Sequence, residues 1–173
     1  GPVHMHLAEQ IPEVDEVLAF RGARPVEWAL ENIGLGPEWC LIHCTQMQQH
    51  ETKGLARTGA VAGLCPLTEA SLGDGIFDGV RWFEAGGAIS LGSDSNIRIS
   101  LAEEIRQLDT SQRLRDHTRA ALATSAQSTG RRIFEAAAKG GAQAAGRGAG
   151  AIVIGGWADL LAFDMTHPDL SGL

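Results

Sequence analysis

Four short apolar runs, each closed by polar residues and followed by a stretch of helical periodicity, constrain this chain more than any other feature. They are VHMHLA (3–8), WCLIHCTQM (39–47), AVAGLCP (60–66) and AISLGSD (88–94). Each has the length of a β-strand. Their apolar character is continuous rather than alternating, as in strands covered on both faces. The segment from Pro12 to Leu30 carries Val14, Val17, Leu18 and Trp28 on a helical face, with Gly22 and Pro25 dividing it in two. HETKGLARTG (50–59) fits a short helix, a Gly-rich loop follows Pro66, and IFDGVRWFEAG (76–86) is helical. A longer helix runs from about Ser100 to Arg119, with Leu101, Ile105, Leu108 and Leu114 on one stripe and Ser100 with Glu103 as a capping box. Another helix lies near Gly130–Lys139. Repeated strand–helix units predict parallel strands joined by crossover helices, hence an α/β fold. Beyond the Ala/Gly-rich stretch at 140–150, AIVIGGWADLLAFD (151–164) predicts two further strands with a turn at Gly155–Gly156.

Composition narrows the function. With 44% apolar and 20% charged residues, the 173-residue chain can bury a core. A formal net charge of −7 and the lack of any Lys/Arg cluster argue against nucleic acid or an anionic membrane as partner, and the charge says little else. No apolar run reaches the roughly 18 residues of a membrane span, and the first residues do not read as a signal peptide. Cys40, Cys44 and Cys65 form no C-x-x-C pair and read as free, buried thiols, which fits a cytoplasmic setting.

The polar residues gather where the strands end. His6 and Glu9 follow the first run, His43 and Thr45 the second, Thr68 and Glu69 the third, and Asp94 the fourth. In parallel α/β folds, that edge is where active sites assemble. His4 and His6 are two apart, so they share one face of their strand. His4, one layer deeper, reads as a structural histidine hydrogen-bonded to neighbouring strands. His43, flanked by Leu41, Ile42 and Cys44, reads as a satisfied core imidazole or as a working one. Glu9 reads as a solvated loop charge or as a general base for metal-assisted hydrolysis. Asp94, closing an apolar strand, needs a cation or several donors. Arg98, just past Asp94, reads as an exposed loop arginine or as a group that meets a substrate carboxylate.

His6 ending the first strand, His43 the next, and Asp94, in GSDS, the last resemble the amidohydrolase superfamily of metal-dependent (β/α)8 barrels. VHMHLAEQ, IHCTQM, CPLTEASLGDGIFD and GSDSNIRISLAEEIRQLDTSQRLR are similar to a branch that deiminates linear amidines in bacterial histidine degradation. The resemblance implies His6 and Asp94 as ligands of one divalent metal, zinc, with iron and manganese as alternatives. It implies Asp94 as the group that takes a proton from water, and Glu9 and His43 as groups that polarise the amidine and move protons to its nitrogen. Gln10, Thr68 and Glu69 are candidates for contact with the small-molecule substrate. A deaminase of ring amidines, or a half-barrel with no catalysis of its own, are the alternatives.

Spacing assigns the strands. From His6 to Asp94 is 88 residues (94 − 6), whereas seven βα units of about 30 residues would need about 200. Three units fit. The expectation is therefore the C-terminal half of a TIM-like barrel, strands five to eight, over 1–148, followed at 149–173 by the start of a small β-sandwich. A half-barrel has open edges, so a homodimer or a complementary barrel half is expected to cover it.

Overall fold

The structure is a computed structural model of the chain and describes residues 1–95 and 98–170. Asn96 and Ile97 of the GSDSNIR motif, and the last three residues of the expected sandwich segment, lie outside the described residues.

The four apolar runs form four strands: β1 (Val3–Leu7), β2 (Trp39–His43), β3 (Val61–Leu64) and β4 (Ala88–Leu91). They make one parallel sheet in the order β1-β2-β3-β4. Between β1 and β2 lie α1 (Ile11–Arg21) and α2 (Pro25–Asn32). Gly22, left-handed at φ 73°, caps α1 and turns the chain, and Pro25 opens α2, so the expected division holds. Then come α3 (Gln49–Ala56), α4 (Pro66–Leu72), α5 (Gly79–Glu84), α6 (Leu101–Asp116) and α7 (Thr129–Ala144). The sequence reading had a loop where α4 stands. Pro66 at its first position and left-handed Gly73 at its end enclose a seven-residue helix too short to show a period.

The register places His4, Cys40, Val61 and Ala88 in one row across the sheet, and His6, Ile42, Gly63 and Ser90 in another on the same face. Leu41, Ala62 and Ile89 point the other way and are fully buried, in a core shared with Val26, Leu55, Trp82, Leu108 and Ile133. The helices cover this second face. The first is more open, with His6 exposed and Ile42 half-buried, and its lower end is closed where Ala144 packs on Cys40 and Val61. There His4 Nε2 bonds to the Ala144 carbonyl at 2.8 Å. His4 is exposed and anchors the end of α7, not the neighbouring strands as the sequence reading had it.

The expected strands at 151–164 do not form; turns and bends occupy part of this stretch, and a 3-10 turn at Pro168–Leu170 follows it. Their apolar side chains stand in solvent, Ile152 at 91% and Leu161 at 78% exposure. A lone hairpin is marginal in water, and no further sheet is present among the described residues to pair with it. Cys40, Cys44 and Cys65 are free and buried, as read from sequence. Among the described residues no helix is long and apolar enough to cross a membrane.

Candidate active site at the C-terminal edge of the sheet

The strands stop where the backbone leaves the extended region. Ala8 (φ 52°), His43 (73°), Cys44 (51°) and Asp94 (48°) are all left-handed, and all lie at one edge of the sheet. Such conformations cost non-glycine residues about 1–3 kcal/mol each and persist only where surrounding contacts enforce them. Those contacts are present. Cys44 N–H donates to the carbonyls of Leu7 and Ile42, and Gln46 N–H to that of Ala8. Both carboxylate oxygens of Glu13 accept from the loop, from Ala8 N–H and Glu9 N–H, each at 2.7 Å.

The turn at His43 has a consequence for chemistry. Strand alternation puts His43 on the same face as Leu41, the helix-covered one. Its left-handed backbone instead brings the ring toward the His6 face, with the two ring centroids 5.4 Å apart. His43 is buried, at 1% exposure, between two carboxylates. Glu9 Oε1 lies 3.5 Å from Nε2 and Glu69 Oε1 3.3 Å from Nδ1. Burial pulls the His43 pKa down. The Glu69 hydrogen bond and the charges of Glu9, Glu69 and Asp94 outweigh it, so the ring titrates above its ordinary value. Asp94 is held below the usual carboxylate range, first by the Ser95 backbone N–H and then, against some desolvation, by the charge of His43 and the hydroxyls of Thr68 and Ser95. It is an anion at neutral pH.

One donor atom from each of His6, His43 and Asp94 lies within 4.8 Å of the others. His6 and Asp94, an imidazole and an ionised carboxylate, are the pair that the resemblance implies as ligands, and such a pair suits a divalent cation with open positions, with the His43 ring beside it. A second trio, His43, Cys65 and Glu69, is as compact. Burial and the charges around it push the Cys65 thiol up to about 12, so it stays a neutral thiol.

Four expected groups, His6, Glu9, His43 and Asp94, therefore converge. Thr68 and Glu69 stand behind them. Glu69, 3% exposed, is turned to His43 and to Cys65 N–H rather than to open space, and Thr68 donates to the Ser93 carbonyl at 3.4 Å. The expectation that they touch substrate does not fit this placement. Gln10 is the N-cap residue of α1 and makes no capping bond with its side chain. Arg98 is exposed and faces Glu103 at 4.0 Å. Two further residues shape the site. Glu13 holds the Glu9 loop, and its position three into a helix behind Pro12 was a readable signal. Glu104, buried in α6, accepts from Leu67 N–H at 2.9 Å, a partner that no local pattern announces.

The chain belongs to the amidohydrolase family, whose model matches residues 2–172. It is 46% identical to the formimidoylglutamate deiminase of Pseudomonas aeruginosa, over 98% of this chain and 38% of that protein. Among solved structures it resembles an amidohydrolase from Brucella melitensis, with a TM-score of 0.83 and 50% identity over 84% of this chain and 33% of the other. It also resembles an adenosine deaminase from Xanthomonas campestris with bound zinc, with a TM-score of 0.85 and 27% identity over 99% of this chain and 39% of the other. The chain thus spans well under half the length of the relatives it matches.

Proposed function

We propose that this chain forms strands five to eight of a (β/α)8 barrel and carries part of the active site of a formimidoylglutamate deiminase, which hydrolyses N-formimidoyl-L-glutamate to N-formyl-L-glutamate and ammonia. The observation that carries the reading is the convergence of His6, Glu9, His43 and Asp94 at one strand edge, in a chain 46% identical to an enzyme of that name. Residues 149–173 then belong to the start of the flanking β-sandwich. The open face of the sheet is covered by the remaining barrel strands or by a second copy. A cytoplasmic setting accords with three free, buried thiols.

His6 and Asp94 would hold the metal, with zinc favoured because the Xanthomonas campestris relative carries it. When bound, it supplies the Lewis acidity that makes water a nucleophile near neutral pH. The chain's own residues do the proton work. Asp94, ionised, takes a proton from the water that adds to the formimidoyl carbon. Glu9 and His43 Nε2, 3.5 Å apart, deliver protons to the amidine nitrogen, so that it departs as ammonia rather than as an amide anion.

The test is ammonia release from N-formimidoyl-L-glutamate and, separately, from guanine, with zinc present and the full barrel assembled. Turnover of the linear amidine is expected, with Asp94→Asn and Glu9→Gln each lowering kcat by about 10²–10⁴. Turnover of guanine alone would move the site to the ring deaminases, the reading favoured by the adenosine deaminase likeness. Silence on both substrates would remove the hydrolytic reading.

A further inference from the structure

Two carboxylates compete for the single proton of a neutral His43 ring, and their surroundings differ. Glu9, on the Nε2 side, is 25% exposed and can take hydrogen bonds from water. Glu69, on the Nδ1 side, is buried, with its side chain 4% exposed. Its Oε1 accepts from Cys65 N–H at 2.9 Å and lies 3.3 Å from His43 Nδ1. A buried carboxylate that loses a donor cannot replace it with water, whereas an exposed one can. The proton is therefore worth more on Nδ1.

We propose that Glu69 is the positioning residue of His43: it holds the proton of the neutral imidazole on Nδ1 and leaves Nε2, facing Glu9, as the nitrogen that accepts and returns protons. The proposal rests on the reading of His43 as a proton carrier and gives that reading its tautomer. Glu69 acts through His43 and does not itself meet substrate, since its carboxylate is enclosed behind the ring.

The first turn of α4 makes this grip rigid. Pro66 and Leu67 enter the helix against α6, where Glu104 Oε2 accepts from Leu67 N–H at 2.9 Å. Thr68 Oγ1 donates to the carbonyl of Ser93, one residue before Asp94. Glu69, the next residue, reaches β2 at His43. Neighbouring side chains on one turn thus fix the two strand ends that bear the proton-handling groups, and a shift of α4 would move both together. The Cys65-Pro-Leu-Thr-Glu69 segment is in this sense a brace between His43 and Asp94.

The test uses the whole chain with ¹⁵N-labelled histidine, stripped of metal with EDTA and held at a pH where the ring is neutral. His43 is assigned by loss of its signals in His43→Asn. The expected spectrum has a pyrrole-like Nδ1 and a pyridine-like Nε2. Glu69→Ala should abolish that pattern, giving Nε2–H or an exchange-averaged ring. Glu69→Gln, which keeps an oxygen acceptor for both donors, should restore it. An Nε2–H tautomer in the unmodified chain, an unchanged pattern in Glu69→Ala, or no restoration in Glu69→Gln would each overturn the proposal. Should Glu69→Ala fail to fold for want of an acceptor for Cys65 N–H, the unmodified chain and Glu69→Gln still decide it. The readout needs neither metal nor substrate, so its failure leaves the ammonia assay untouched, and the reverse holds as well.

Discussion

The two faces of the sheet are made by the same four strands and differ in nearly everything else. On one, Leu41, Ala62 and Ile89 are sealed under helices and touch no water. On the other, His6 is exposed and Ile42 is half-buried, although Gly63 and Ser90 are buried and Ala144 closes the lower end on Cys40 and Val61. The packed face supplies the stability that lets the other carry polar side chains and left-handed strand ends. A site of strained residues needs a scaffold that over-determines them. Here that scaffold is one residue away along each strand.

The largest effect should come from comparing neighbours on β2. Leu41→Ala removes a fully buried side chain from the helix-covered core and should cost about 2–5 kcal/mol. Ile42→Ala, on the other face and already half wet, should cost about 1–1.5 kcal/mol. Urea unfolding of both variants measures the contrast. Equal losses would break the comparison and mean that the second face is covered in solution. Sedimentation would then reveal the second copy that covers it.

Gly140 sharpens the same contrast from the helix side. In an exposed helix, Gly→Ala gains about 1 kcal/mol. At Gly140 a Cβ would stand 1.9 Å from the carbonyl oxygen of Ile89, so α7 must lift off β4. Gly140→Ala should instead lose about 1–3 kcal/mol in thermal unfolding. Gly130, with nothing near its Cβ direction, is the control and should not show that loss. A stabilised Gly140→Ala would show that α7 rides higher on the sheet than it does here.

A smaller loss is expected at the open edge itself. Glu13→Ala takes away the acceptor shared by Ala8 N–H and Glu9 N–H, a capping interaction worth about 0.5–2 kcal/mol. Amide exchange should accelerate at Ala8 and Glu9 and not at Leu41. Acceleration spread over β2 would mean that the edge and the packed core open as one unit.

Much of this was legible in the sequence, for physical reasons that also explain the rest. Continuous apolar runs located β1 to β4, and Gly22 with Pro25 located the break between α1 and α2. Continuity misled on one point. It implied two covered faces, whereas His6 and Ile42 stand on a face only partly closed. The gathering of His6, Glu9, His43 and Asp94 followed from parallel topology, because every C-terminal strand end lies on one edge. The direction of His43 did not follow. Alternation sends it to the core, and only its φ of 73° turns it back. Helix α4 was hidden by its brevity, and the role of Glu69 was hidden with it. The strands expected at 151–164 failed for the opposite reason. Ile152, Val153 and Ile154 favour strand locally, but a strand needs a neighbour, and propensity alone does not supply one.

The last prediction is the smallest in free energy and separates the two charges of the open edge by sign. In the metal-free chain the folded pKa of His43 is raised: burial opposes it, but the Glu69 hydrogen bond and the charges of Glu9, Glu69 and Asp94 prevail. A raised histidine contributes stability that is fully present below its unfolded value of about 6.5 and is lost as pH rises through the folded pKa. Asp94 runs the other way. Its folded pKa is depressed, chiefly by the Ser95 backbone N–H, so its contribution is present above the unfolded value of about 3.9 and is lost as pH falls through the folded one. The stability difference between the chain and His43→Asn should therefore shrink as pH rises above about 6.5. The difference from Asp94→Asn should shrink less over that range, because Asp94 is one of several groups that raise His43, and should fall further at acid pH. Glu9→Gln, by removing one of the charges that raise His43, should move the loss to lower pH. Leu41→Ala, on the packed face, should shift the whole curve down without moving the inflection. A His43 contribution that grows with pH would mean that desolvation outweighs the carboxylates around the ring, and the open edge would then be drier than its exposed His6 and Asp94 indicate.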